Sequence, residues 1–76
     1  MNIPIQEFEK QFHKEYKFLY ENENVAGYKE AVDAFDEFIK TEAGGRFVGE
    51  FCNYIGDVVG SDREAAAFMF ALSTFE

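Results

Sequence analysis

Residues 60–72 read Gly-Ser-Asp-Arg-Glu-Ala-Ala-Ala-Phe-Met-Phe-Ala-Leu, and this stretch decides the fold of the 76-residue chain. Ser61 and Glu64 match the capping box, in which a serine at the helix N-cap and a glutamate three residues later bind each other's backbone N–H groups. The next eight residues carry no charge. A helix that is apolar on every side is typical of the centre of a bundle or of a surface that a partner covers. The sequence therefore predicts a buried last helix that begins at Ser61.

Three earlier segments repeat apolar residues with the 3.6-residue period of a helix. The first follows Pro4, which suits a first helical turn, and stops before the turn-forming stretch 22–24. Its apolar stripe consists of Ile5, Phe8, Phe12, Tyr16 and Leu19. The second stripe consists of Tyr28, Val32, Phe35 and Ile39, and the third of Phe47, Phe51, Tyr54, Ile55 and Val58.

Glycines mark the predicted ends of these helices. We expect Gly44 and Gly45 to end the second helix, because glycine is common just after a helix. The third helix is then predicted to run over 46–59 and to close at Gly60. A short strand over 46–51 is the alternative, although it would lack a partner strand. Four helices with short connections predict an all-α fold, a compact four-helix bundle-like single domain over residues 1–76.

Composition supports a folded intracellular protein. Apolar residues make up 47% of the chain and ten are phenylalanines, which bury a large area each. The single cysteine excludes an internal disulfide. No apolar run reaches the length of a membrane span, and the N-terminus lacks the layout of a signal peptide. We therefore expect a cytoplasmic location, in the host cell if the gene is phage-encoded, and no membrane partner.

Acidic residues dominate the charge. Fifteen Asp and Glu face seven Lys and Arg, for a net charge of -8, and residues 21–76 hold twelve of those acids against four bases. Seven acids in and after the second helix are predicted to bind a partner: Glu30, Asp33, Asp36, Glu37, Glu42, Glu50 and Asp57. Like charges one helical turn apart repel, so folding alone gives no reason to collect them. They would attract a basic surface and repel nucleic acid; the alternative is a solvated face that keeps a Phe-rich protein soluble.

Small residues and two aromatic residues suggest further contacts. Gly49, Cys52 and Gly56 are predicted to form a seam for close helix packing, either within the chain or against a second copy, because a glycine inside a helix costs about 0.5–1 kcal/mol. Phe18 and Phe70 project away from the main apolar stripes and are predicted to anchor a partner.

Catalysis has little support in the sequence. The only histidine, His13, has Glu9 and Lys17 as its neighbours one turn away, and Cys52 lies at the edge of an apolar stripe. No spacing matches a metal site or a phosphate-binding loop. We expect no enzymatic activity, no cofactor and no metal.

In size and charge the chain is similar to phage- and plasmid-encoded antagonists of bacterial defence, such as anti-CRISPR and anti-restriction proteins. The similarity includes no motif, so it assigns no residue. It implies an inhibitor that blocks the nucleic-acid-binding surface of a larger protein by mimicking nucleic acid, without binding nucleic acid itself. The alternative hypothesis is a structural or regulatory homodimer that uses the glycine seam and the last helix, with the acids serving solubility.

Overall fold

The computed structural model describes residues 2–75, which contain four α-helices and no strand. The helices are α1 (Ile5–Glu21), α2 (Tyr28–Lys40), α3 (Glu42–Ile55) and α4 (Asp62–Ser73). The predicted all-α, four-helix fold is confirmed. Residues 46–51 lie inside α3, so the alternative of a strand there is wrong.

The helices form a ring in which α4 packs against α1 and α2, and α3 packs against α2 and α1. Phe68 of α4 is completely buried at the centre of this ring. Its ring centroid lies 4.8 Å from that of Phe8 on α1, 5.3 Å from that of Phe35 on α2 and 5.6 Å from that of Phe51 on α3. All three pairs meet edge to face, which adds about 0.5–1.5 kcal/mol per pair beyond burial of their area. One aromatic side chain thus joins all four helices.

The capping box predicted at the start of α4 is confirmed. The Glu64 N–H donates to Ser61 Oγ at 3.1 Å, and the Ser61 N–H donates to Glu64 Oε1 at 3.2 Å. The start of α1 after Pro4 is also as predicted. At the other end of α1, the Asn22 side chain donates to the Phe18 carbonyl oxygen at 2.8 Å, and Asn24 adopts a φ of 55°, which asparagine tolerates.

The boundary between α2 and α3 differs from the prediction. The second helix ends at Lys40, and Thr41 alone connects it to α3, because Thr41 Oγ1 accepts the Gly44 N–H at 2.9 Å and caps the new helix. Gly44 and Gly45 therefore lie in the first turns of α3. A Cβ atom at Gly44 would overlap the Phe38 carbonyl oxygen, and one at Gly45 would lie 2.9 Å from the carbonyl oxygen of Ile39. The two glycines allow the sharp corner between the helices.

The end of α3 and the glycine seam also require correction. The helix stops at Ile55 because Gly56 adopts a φ of 72° and its N–H bonds the Cys52 carbonyl oxygen at 3.0 Å, so Gly60 does not close it. A Cβ at Gly49 or Gly56 would meet no described atom within 4 Å beyond its chain neighbours and the backbone of its own helix. The prediction that another helix of this chain packs closely on the seam of Gly49, Cys52 and Gly56 is therefore wrong at Gly49 and Gly56. Cys52 is a half-buried free thiol.

The apolar character of α4 follows from its position between α1 and α2. Phe70 is half-buried and packs on the core, with Cε1 3.8 Å from the Cβ position at Gly27 in the connection before α2. This contact removes the reason for which Phe70 was predicted to anchor a partner. Within residues 2–75 no helix is both long enough and apolar enough to cross a bilayer.

Candidate protein-binding surface

The acids of α2 all point into solvent. Glu30, Asp33, Asp36 and Glu37 are exposed, as the apolar residues of this helix face α3 and α4. Glu30, Asp33 and Glu37 are spaced three and then four residues apart, which places them on one side of the helix. Lys40 Nζ lies 3.5 Å from Glu37 Oε1, and both side chains are largely exposed. The remaining three carboxylates form no ion pair with any residue from 2 to 75.

Two further acids lie on α3, which follows directly from the corner at Thr41. Glu42 Oε1 accepts from Arg46 at 2.9 Å in another exposed ion pair. Glu50, one turn beyond Arg46, lines with it a shallow cleft of about 240 Å³ and has no ion pair among the described residues. Because α2 and α3 pack together, the acids of the two helices lie on adjoining elements.

The structure places Asp57 elsewhere. Its Oδ1 accepts the Val58 N–H at 2.8 Å, and its side chain lines a cleft with Glu9 and His13 of α1. Helix α1 does not pack against α2. We therefore define the acidic surface by the other six predicted acids: Glu30, Asp33, Asp36, Glu37, Glu42 and Glu50.

The basic residues of α2 and α3 do not neutralise this surface. Six carboxylates stand against three cations, Lys29, Lys40 and Arg46. Exposed ion pairs of the kind that Lys40 and Arg46 form contribute only about 0.2–1 kcal/mol. A cationic partner could displace them at little cost, so all six carboxylates are available to it.

Exposed apolar side chains near the acidic surface are not the ones that the sequence indicated. Phe18 is 47% exposed as expected, but it lies on α1. Tyr54 follows Glu50 by one helical turn on α3 and is 43% exposed, and Ile39 on α2 is 41% exposed. The sequence pattern assigned Tyr54 and Ile39 to apolar stripes. A helical period alone does not show that the residues at the end of a helix lie beyond the core.

A second concave region lies at the connection between α1 and α2. It is a cleft of about 540 Å³ into which Arg63 of α4 projects. The Arg63 guanidinium carbon lies 5.1 Å from the centre of the Tyr20 ring, within the range of a cation–π contact. Sequence analysis did not find this cleft, because its residues come from separate segments and follow no local pattern.

Comparisons with protein-family models, curated proteins and solved structures gave no match to this chain.

Proposed function

We propose that this protein binds the basic, nucleic-acid-binding surface of a larger protein and blocks it, as anti-CRISPR and anti-restriction antagonists of phage origin do. The observation that carries the proposal is the acidic surface. Four of its six carboxylates have no ion pair among the described residues, and the other two are held only by exposed cations.

The mechanism would be steric and electrostatic. Lysine and arginine side chains that bind a row of phosphates can pair with a row of carboxylates instead. Complementary charge of this kind speeds association and selects the partner. Tyr54, one turn from Glu50, would add an apolar contact of the type that contributes most of the binding energy at interfaces. This function needs no cofactor and no chemical step.

Competition with nucleic acid tests the proposal. The tagged protein is used to capture partners from its native host, and a captured nucleic-acid-binding protein is then loaded with labelled nucleic acid. Added wild-type protein should release the label. Asp33→Lys combined with Asp36→Lys should lose this activity, because both acids are exposed and unpaired on α2.

Glu7→Lys combined with Glu21→Lys is the matched control. It makes the same change in net charge at two exposed positions of α1, away from the acidic surface. If both double variants release the label equally poorly, the loss comes from net charge and not from the acidic surface. If both release it as well as the wild type does, the carboxylates of α2 are not needed, and either result shows that the proposed surface is wrong.

A homodimer through α3 is the second candidate, and Gly49 favours it. This glycine is exposed in the middle of a helix, where it costs about 1 kcal/mol relative to alanine, and no described atom beyond its own helix backbone lies within 4 Å of its Cβ position. A second copy packed closely there would offset the cost. Sedimentation of the wild-type protein should then show a dimer that Gly49→Leu dissociates, whereas a monomer at micromolar concentration would exclude it.

A further inference from the structure

The cleft beside Arg63 is open to solvent and has the volume of a small-molecule site. Its volume of about 540 Å³ lies within the range of roughly 300–1,000 Å³ that such sites occupy. The end of α1, the connection to α2, the first turn of α2 and the start of α4 all contribute to it. Its lining combines apolar side chains with amides and both signs of charge.

Four charged side chains line this cleft, and none of them pairs with an opposite charge of the described chain. Arg63 and Lys29 are cationic, and Glu23 and Glu30 are anionic. None forms a hydrogen bond or an ion pair with another residue of the described part of the chain. In a molecule with a net charge of -8, two cations and two carboxylates make this cleft locally neutral, with both signs of charge present.

Arg63 differs from the other basic residues of the chain because it is half-buried and its guanidinium lies over an aromatic ring. The other lysines and arginines are exposed, whereas the Arg63 guanidinium lies against the Tyr20 ring. A guanidinium in a cation–π contact still has N–H groups to donate, and a pair of them matches the two oxygens of a carboxylate or a phosphate. Partial burial strengthens such a bond because water competes less.

We propose that this cleft binds a small zwitterion, which is a molecule that joins a carboxylate or phosphate to an ammonium group through a few bonds. Its anionic group pairs with Arg63, assisted by Lys29, and its ammonium group pairs with Glu23 or Glu30. A ligand with an anionic group alone would leave the two carboxylates to repel it, and the net charge of the protein would add to that repulsion. The site is independent of the acidic surface except for Glu30, which borders both.

Titration of the ¹⁵N-labelled full chain, followed by amide NMR, tests the proposal. The probes are L-leucine and phosphoethanolamine as zwitterions, with acetate, inorganic phosphate and ethylamine as ligands of one charge sign. We expect saturable shifts at the backbone amides of Asn24, Gly27 and Lys29 with at least one zwitterion. The affinity should be at least about tenfold higher than for any probe of one sign, which corresponds to about 1.4 kcal/mol. The better zwitterion identifies the anionic group that the cleft prefers.

Two arginine variants complete the test. Arg63→Gln should weaken zwitterion binding at least about tenfold, while Arg46→Gln, in the other cleft, should leave it unchanged. Both variants must show the wild-type amide spectrum away from the substitution, and if Arg63→Gln does not, Arg63→Lys replaces it with the same expected loss. The proposal is overturned if no zwitterion gives saturable shifts, if acetate or phosphate binds as tightly as the zwitterions, or if Arg63→Gln and Arg46→Gln behave alike.

Discussion

Replacing Gly44 with alanine should destabilise the protein strongly, because the corner between α2 and α3 has no room for a side chain. The new Cβ would overlap the Phe38 carbonyl oxygen and lie 2.6 Å from Thr41 Oγ1. That carbonyl accepts both the Thr41 N–H at 3.2 Å and the Thr41 hydroxyl at 2.8 Å, and Thr41 Oγ1 caps α3. Any movement that relieves the overlap disturbs these bonds.

The expected loss follows from the bonds at this corner. Each hydrogen bond contributes about 1 kcal/mol and the N-cap about 1 kcal/mol. Strain from overpacking adds about 1–3 kcal/mol, while alanine regains about 1 kcal/mol over glycine in a helix. We expect Gly44→Ala to lower the free energy of unfolding by about 3–5 kcal/mol. Gly49→Ala, where the Cβ meets open space, should raise it by about 0.5–1 kcal/mol.

Urea unfolding of the two alanine variants, monitored by circular dichroism, measures both changes. At a slope of about 1 kcal/mol per molar urea for a protein of this size, the midpoint of Gly44→Ala should fall by about 3–5 M. The midpoint of Gly49→Ala should rise by less than 1 M. If Gly44→Ala unfolds within about 0.5 kcal/mol of the wild type, α2 and α3 do not meet in the corner described here.

Three other substitutions test the core and the caps by the same unfolding measurement. Ser61→Ala should cost about 1 kcal/mol because it removes the N-cap of α4; a loss no larger than that of Ser73→Ala, which changes only the last turn of the helix, would contradict this. Phe68→Ala should cost about 4 kcal/mol or more, because its buried ring contacts aromatic rings of all three other helices. Phe18→Ala should change the free energy of unfolding by less than about 0.5–1 kcal/mol, and a larger loss would show that this side chain packs on the core.

Local chemistry explains why some of the fold could be predicted from the sequence. The capping box at Ser61 depends on two side chains three residues apart, and Pro4 lies directly before the first residue of α1. The apolar stripes included Ile39, Tyr54 and Val58, which are exposed. They also identified buried residues in the first three helices, including Phe8, Phe35 and Phe47. In each case the decisive interaction lies within one turn or follows one helical period.

The wrong predictions concern interactions that a local pattern does not contain. Position 44 lies inside α3 and needs a glycine, because a Cβ there would overlap the carbonyl oxygen of Phe38. The path of the chain sets this contact, and the local sequence pattern does not contain it. The N-cap at Thr41 could have been recognised from its residue type, but the glycine pair after it suggested an end instead. Gly56 was placed inside α3 because a spacing of four residues from Cys52 also fits a continuing helix.

The candidate site was predicted in part for the same reason. The acids on α2 are exposed because they lie opposite the apolar stripe of that helix, so their exposure could be predicted from the sequence. The separation of Asp57 from them, the exposure of Tyr54 and the cleft at Arg63 all depend on how the helices are arranged around α4. No spacing within a single segment reports that arrangement.

The dependence of partner affinity on salt tests the proposed acidic surface most directly. Two proteins are compared for binding to the captured nucleic-acid-binding protein: the wild type and the double variant Asp33→Lys, Asp36→Lys. The dissociation constant of each complex is measured as ionic strength rises from about 0.1 M, where charges are screened over about 10 Å. The wild-type affinity should fall steeply with salt, and the variant should bind far more weakly with a shallower slope. An affinity that is flat with salt, or that the double substitution leaves unchanged, would show that the carboxylates of α2 do not bind the partner.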